Sequence, residues 1–109
     1  MAFDEGLAER VRVVLARRSD VVEWRMFGGL TFMVSGRMCC GVQGGELILR
    51  LGPDGAERAL ESAHVRPMDF TGRPMRGFVT VEPNGHAGEL LRRWVEQAVA
   101  YAAAAAETR

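Results

Sequence analysis

Lysine is missing from this chain of 109 residues: all 14 basic residues are arginine, and 14 acidic residues cancel them to a formal charge of zero. A protein that grips duplex nucleic acid carries a basic surplus, so direct nucleic-acid binding is not expected. Arginine suits bidentate recognition of anions, but its even spread along the whole chain reads as compositional. No apolar run approaches the roughly 20 residues needed to cross a bilayer, so no membrane role is expected. The opening MAFDEGLAER is acidic and lacks the basic-then-apolar order of a secretory signal. Two cysteines make no disulfide framework. A reduced, cytoplasmic protein follows as the expectation. Phosphate-cradling patterns (GxxxxGK[ST], GxGxxG opening a helix) and the GxSxG nucleophile elbow are also missing. No catalytic residue, metal site or cofactor is therefore assigned, and the chain is not expected to be an enzyme.

What is present suits an ordinary folded protein: 48% hydrophobic and 26% charged residues. The length predicts a single domain, residues 1–109, with a core large enough to need no staples. Leu7, Val11, Val14 and Leu15 form one stripe of a helix from Asp4, a good N-cap, to about Arg18. The period then changes to two. Strands are predicted over Val21–Phe27, Leu30–Ser35, Met38–Val42 and Glu46–Leu51, separated by glycine turns too short for parallel crossovers. A short helix follows Pro53, then an edge-like strand Val65–Phe70 containing Pro67, then a strand Met75–Val81. A last helix covers about Ala87–Ala105, and its Ala102–Ala106 stretch, with little to bury, is expected to fray. The order α, three to four strands, α, two strands, α predicts an α+β fold: two layers, with helices on one face of an antiparallel sheet.

Alternation assigns faces. Leu30, Phe32, Val34, Met38, Cys40, Val42, Leu47 and Leu49 are expected under the helices. Thr31, Met33, Cys39, Gly41 and Ile48 are expected on the reverse face. On a regular strand neighbouring side chains diverge, so the Cys39 and Cys40 sulfurs should point apart, against a redox pair or a metal site. The reverse face is unusually apolar for one left to water. Met33, Cys39 and Ile48 therefore mark a candidate interaction surface, for another protein or a second copy of the chain. The rival candidate is an anion site built from Arg50, Arg66, Arg73 and Arg76, with Asp69 among them. His64 and His86 lie in separate loops and are read as structural.

Two blocks in order, MFGGLTFMVSGRMCCGV and, after LRLGP, HVRPMDFTGRPMRGFV, resemble the TfoX N-terminal domain of the TfoX/Sxy regulators of bacterial competence, which also occurs as small stand-alone proteins. The likeness spans Phe3 to about Ala102. Its motif positions fall on Met26, Phe27, Gly28, Gly29, Gly36, Met68, Phe70, Gly72, Pro74, Met75, Gly77 and Phe78. The resemblance implies a two-layer fold of the secretion-chaperone-like kind, no established enzymatic activity and no cofactor. Full regulators carry a further C-terminal domain, and this sequence stops at Arg109, so a role in competence is not carried over. The expectation is a regulatory, protein-binding module; the alternative is a small-anion-binding or enzymatic domain using the arginine cluster.

Overall fold

The computed structural model describes residues 3–26, 28–70 and 72–107. Motif position Phe27, the Phe70 side chain and turn residue Thr71 lie outside the description. The elements run α1 (Glu5–Leu15), β1 (Val21–Met26), β2 (Gly29–Val34), β3 (Arg37–Gln43), β4 (Glu46–Arg50), α2 (Gly52–Ala59), β5 (Val65–Phe70), β6 (Arg73–Val81) and α3 (Leu90–Glu107), with a 3-10 turn at Pro83–Gly85. The strands form one six-stranded sheet in the order β1-β2-β3-β4-β6-β5, every neighbouring pair antiparallel. This is the α+β fold that the change of period predicted.

Local chemistry explains the boundaries. Asp4 caps α1 as expected: the Leu7 amide donates to its Oδ1 at 3.1 Å. Ser35 and Gly36 both have positive φ (54° and 76°), which makes the β2–β3 connection a tight hairpin twisted with its strands. The Ser35 hydroxyl donates to Asp20 Oδ2 at 2.6 Å, and the Arg18 guanidinium donates to both oxygens of the same carboxylate at 2.9 and 2.8 Å. These bonds, Arg18 first, hold the Asp20 carboxyl down to about 2. A depressed folded-state value means the contribution is present above the ordinary carboxylate range and is lost as pH falls from about 4 towards 2. An NMR titration should place the Asp20 midpoint near 2, and Ser35→Ala should raise it.

Helix α3 packs on β2, β3 and β4, α1 packs on α3, and α2 packs against β6. One continuous core joins Leu7, Val11 and Leu15 of α1, Phe32 and Val34 of β2, Leu47 and Leu49 of β4, Val79 and Val81 of β6, and Leu91, Val95, Ala98 and Ala102 of α3. The end of α3 does not fray where expected: it is helical to Glu107, and Ala102 is fully buried. The Tyr101 ring supplies the anchor that a stripe of small residues did not advertise, lying against Gly52 and beneath the Arg50 guanidinium.

The cysteines require a second correction. In the β2–β3 register Phe32 faces Cys40 but Met33 faces Met38, so Cys39 is the extra residue of a β-bulge. A bulge breaks strict alternation, which turns Cys39 inward beside Cys40 and moves Met38 to the reverse face. Both cysteines are fully buried and free of disulfide, and both belong to the helix-side core. The two side chains do not diverge but share that core. The interaction between their thiols, helped by the nearby Arg18 charge against burial, lowers the Cys39 thiol; the same interaction and burial push Cys40 well up. Cys39 is thus removed from the reverse face and from the interaction surface assigned to it.

Candidate functional site

The reverse face of the sheet, away from α1 and α3, carries the most distinctive surface. Its residues follow from pairing. Val22, Trp24 and Met26 of β1 lie opposite Met33, Thr31 and Gly29 of β2. Thr31 lies opposite Gly41, Gly41 opposite Ile48, and Ile48 opposite Thr80. Glu23 and Arg25, the odd positions of β1, turn to the helix side. There Glu23 accepts two bonds from Arg12 of α1, at 2.7 and 2.9 Å, and Arg25 sits 5.3 Å above the Phe3 ring. Polar residues of β1 are therefore tied to the helical layer, while Val22, Trp24 and Met26 face solvent. Trp24 is 55% exposed and Val22 53%.

A groove of about 290 Å³ opens on this face. Four methionines line it (Met26, Met38, Met68, Met75), with Ile48, Phe78 and Thr31. Glycines make the hollow. A Cβ on Gly41 would stand 3.0 Å from the Leu30 carbonyl oxygen and 3.7 Å from Thr31 Oγ1, so the space over Thr31 and Ile48 stays open. Methionine is unbranched and polarizable, and methionine-lined surfaces adapt to varied apolar partners. Beyond Ile48 and Thr80 the face turns charged: Arg66 donates to both Glu46 oxygens at 2.6 and 2.7 Å and approaches Glu82 at 3.4 Å.

The sequence candidates are placed as follows. Ile48 is in the groove wall, nearly buried, and Met33 is half-buried on the same face. Of the motif positions, Met26, Gly29, Met68, Met75 and Phe78 line the groove, so the block reads as its wall as much as its turns. Pro74 and Gly77 line a second cleft, of about 410 Å³, beside α2 that shares Met75 and Phe78. Gly28 and Gly72 hold the positive φ values of hairpin turns.

The four arginines are strung out along the sheet. Arg66 is engaged with Glu46 and Glu82, which keeps its proton held more firmly than usual. Arg50 covers Tyr101. Arg73 and Arg76 lie on either side of Pro74-Met75 on β6, and neither has an ion pair among the described residues; Arg76 also lines the cleft beside α2. His86 is buried and binds the Gly45 carbonyl through Nε2 at 3.0 Å, tying the β3–β4 turn to the start of the α3 region. His64 is exposed near Glu82. Among the described residues, no three of His, Cys, Asp or Glu are grouped to hold a metal, and no helix is long and apolar enough to cross a membrane.

Trp24, Val22 and Met38 were missed as surface residues. The signal for the first two was available in the alternation of VVEWRM; Met38 was hidden by the bulge. A family model described as the TfoX N-terminal domain matches residues 14–102. No match is found among the curated proteins, and none among the solved structures.

Proposed function

Since the chain belongs to the TfoX N-terminal domain family, we propose that it is a non-enzymatic, regulatory-type module whose reverse face receives the apolar side of an acidic, amphipathic helix of a partner protein. The observation that carries this reading is the methionine-walled groove, whose wall residue Met75 shares β6 with Arg73 and Arg76, two arginines without an ion pair among the described residues. Apolar grooves commonly take helices through anchors spaced three and four residues apart. Acidic residues flanking those anchors would find Arg73 and Arg76. The family's association with regulators, and the lack of a known enzymatic activity attached to it, support the same direction.

The test uses two designed amphipathic helical peptides with identical apolar faces, one acidic and one basic, titrated against the intact chain while tryptophan fluorescence is followed. The acidic peptide should bind at least tenfold more tightly, a difference of about 1.4 kcal/mol. Met75→Glu, at a position 38% exposed, should weaken it by a further factor of about ten without unfolding the protein. Binding of neither peptide, or binding indifferent to Met75→Glu, would refute the reading. A thermal midpoint raised by phosphate or small carboxylates, and lost in Arg73→Ala, would replace it with the anion-binding alternative.

A further inference from the structure

The two edges of the sheet are built differently. Edge strand β5 carries Pro67 and a break in register between Pro67 and Asp69, both devices that discourage another strand from pairing. Edge strand β1, VVEWRM, has neither, and five of its six residues are exposed. Its backbone polarity follows from the hairpin. Met26 and Gly29 close the β1–β2 connection, and at the far end the Ser35 amide donates to the Asp20 carbonyl at 3.1 Å. Both contacts belong to even positions of the first strand. In an antiparallel ladder hydrogen-bonded positions alternate. Positions 22, 24 and 26 thus bond to β2, while Val21, Glu23 and Arg25 present their amides and carbonyls outward.

We propose that β1 pairs antiparallel with β1 of a second copy, about a two-fold axis through Trp24, to form one continuous sheet across a dimer. The residues select this register. With Trp24 opposite Trp24 of the second copy, Glu23 faces Arg25 of the second copy, and Val22 faces its Met26. Sliding by two residues in one direction sets Glu23 against Glu23; sliding in the other sets Arg25 against Arg25. Like charges directly opposite are destabilising and opposite charges favourable, so only the Trp24-centred register is complementary. It also makes Glu23 and Arg25, whose backbone groups point outward, the hydrogen-bonded pair. Trp24 becomes a non-hydrogen-bonded pair, in which side chains approach most closely. The axis stands perpendicular to the sheet, so both helical layers lie on one side. Both apolar grooves then share the other side, joined by the exposed Trp24 and Met26. Arg12 and Arg25 are the charged groups that meet Glu23 in this arrangement, the first from its own chain and the second from the other.

The dimer is independent of what the groove binds, so its failure leaves the groove reading standing. Sedimentation equilibrium on the intact chain should give twice the 12.0 kDa chain mass. Arg25→Glu, which places two carboxylates opposite each other, should weaken association at least tenfold; circular dichroism checks that the variant folds. A second variant tests the register directly. Because Cys39 and Cys40 are buried, Trp24→Cys supplies the accessible thiol. Its Cα should lie about 4.5 Å from that of the second copy, within disulfide reach. Mild oxidation should convert Trp24→Cys to a covalent dimer, whereas Val22→Cys, displaced from its own counterpart along the strand, should stay uncoupled. A wild-type chain that remains monomeric at about 200 µM, where association worth about 5 kcal/mol would already show, overturns the proposal. So does a dimer broken by Met75→Glu but not by Arg25→Glu, or a Trp24→Cys chain that couples no faster than Val22→Cys.

Discussion

Phe32→Ala should destabilise the protein by about 3–5 kcal/mol, the usual cost of emptying a fully packed aromatic site. Among the described residues, Phe32 is the largest of the side chains that are completely buried. It stands on β2 opposite Cys40, at the point where the bulge adds Cys39 to the same layer. Across from the sheet, the completely buried side chains of α3 are the short ones of Val95, Ala98 and Ala102. Small residues cannot extend into a vacated ring's volume, and the bulged strand is fixed by pairing on both sides. The cavity should therefore persist. Against a typical total of about 5–15 kcal/mol, the variant should unfold at a sharply lower urea concentration with an unchanged slope. Phe32→Leu, which retains most of the volume, should cost less than half as much. A loss below about 1.5 kcal/mol for alanine would mean that this layer is loosely packed, contrary to the zero exposure of Phe32, Cys39 and Cys40.

The bulge also marks where sequence reading stops. The class of fold was legible because each element has a strong local cause: a capped stripe of apolar residues for α1, alternation between glycine turns for the meander, Pro67 for an edge strand. The apolar reverse face was legible from the same alternation, and Ile48 and Met33 fall there. Cys39 and Met38 were misplaced because alternation presumes one residue opposite one. A bulge inserts a residue without any glycine or proline to announce it, and it reverses the assignment of every position between itself and the next turn. The groove was harder still. Its walls come from Met26 on β1, Met38 on β3, Met68 on β5 and Met75 on β6, and no periodicity within one strand reveals that four strands converge. The arginines illustrate the opposite error. Arg66 and Arg73 are close in sequence, but pairing sends Arg66 to the Glu46–Glu82 end of the sheet and leaves Arg73 at the hairpin tip. Proximity along the chain was mistaken for proximity in space.

Gly52→Ala should cost about 2–5 kcal/mol, and a double-mutant cycle should divide that cost into two parts. Gly52 opens α2 with φ of +79°, a conformation that penalises any residue with a Cβ by about 1–2 kcal/mol. A Cβ there would also stand 2.4 Å from Tyr101 Cε1 and within 3.0 Å of two more ring atoms. The ring has little freedom to retreat, since it is carried on α3 and lies under the Arg50 guanidinium, 5.4 Å from its centroid. On the other side of Gly52, the Gly77 carbonyl accepts from the Leu51 amide at 2.8 Å and fixes the entry to the helix. In a Tyr101→Ala background the ring contact disappears while the backbone requirement stays. The Gly52→Ala cost should therefore fall to about 1–2 kcal/mol, leaving a coupling of about 1–3 kcal/mol between the two sites. Equal costs in both backgrounds would show that the Tyr101 ring does not hold α3 against the start of α2. A cost that vanished entirely without the ring would show that the positive φ carries no penalty. Equal costs would also remove the reason given above for α3 remaining helical to Glu107.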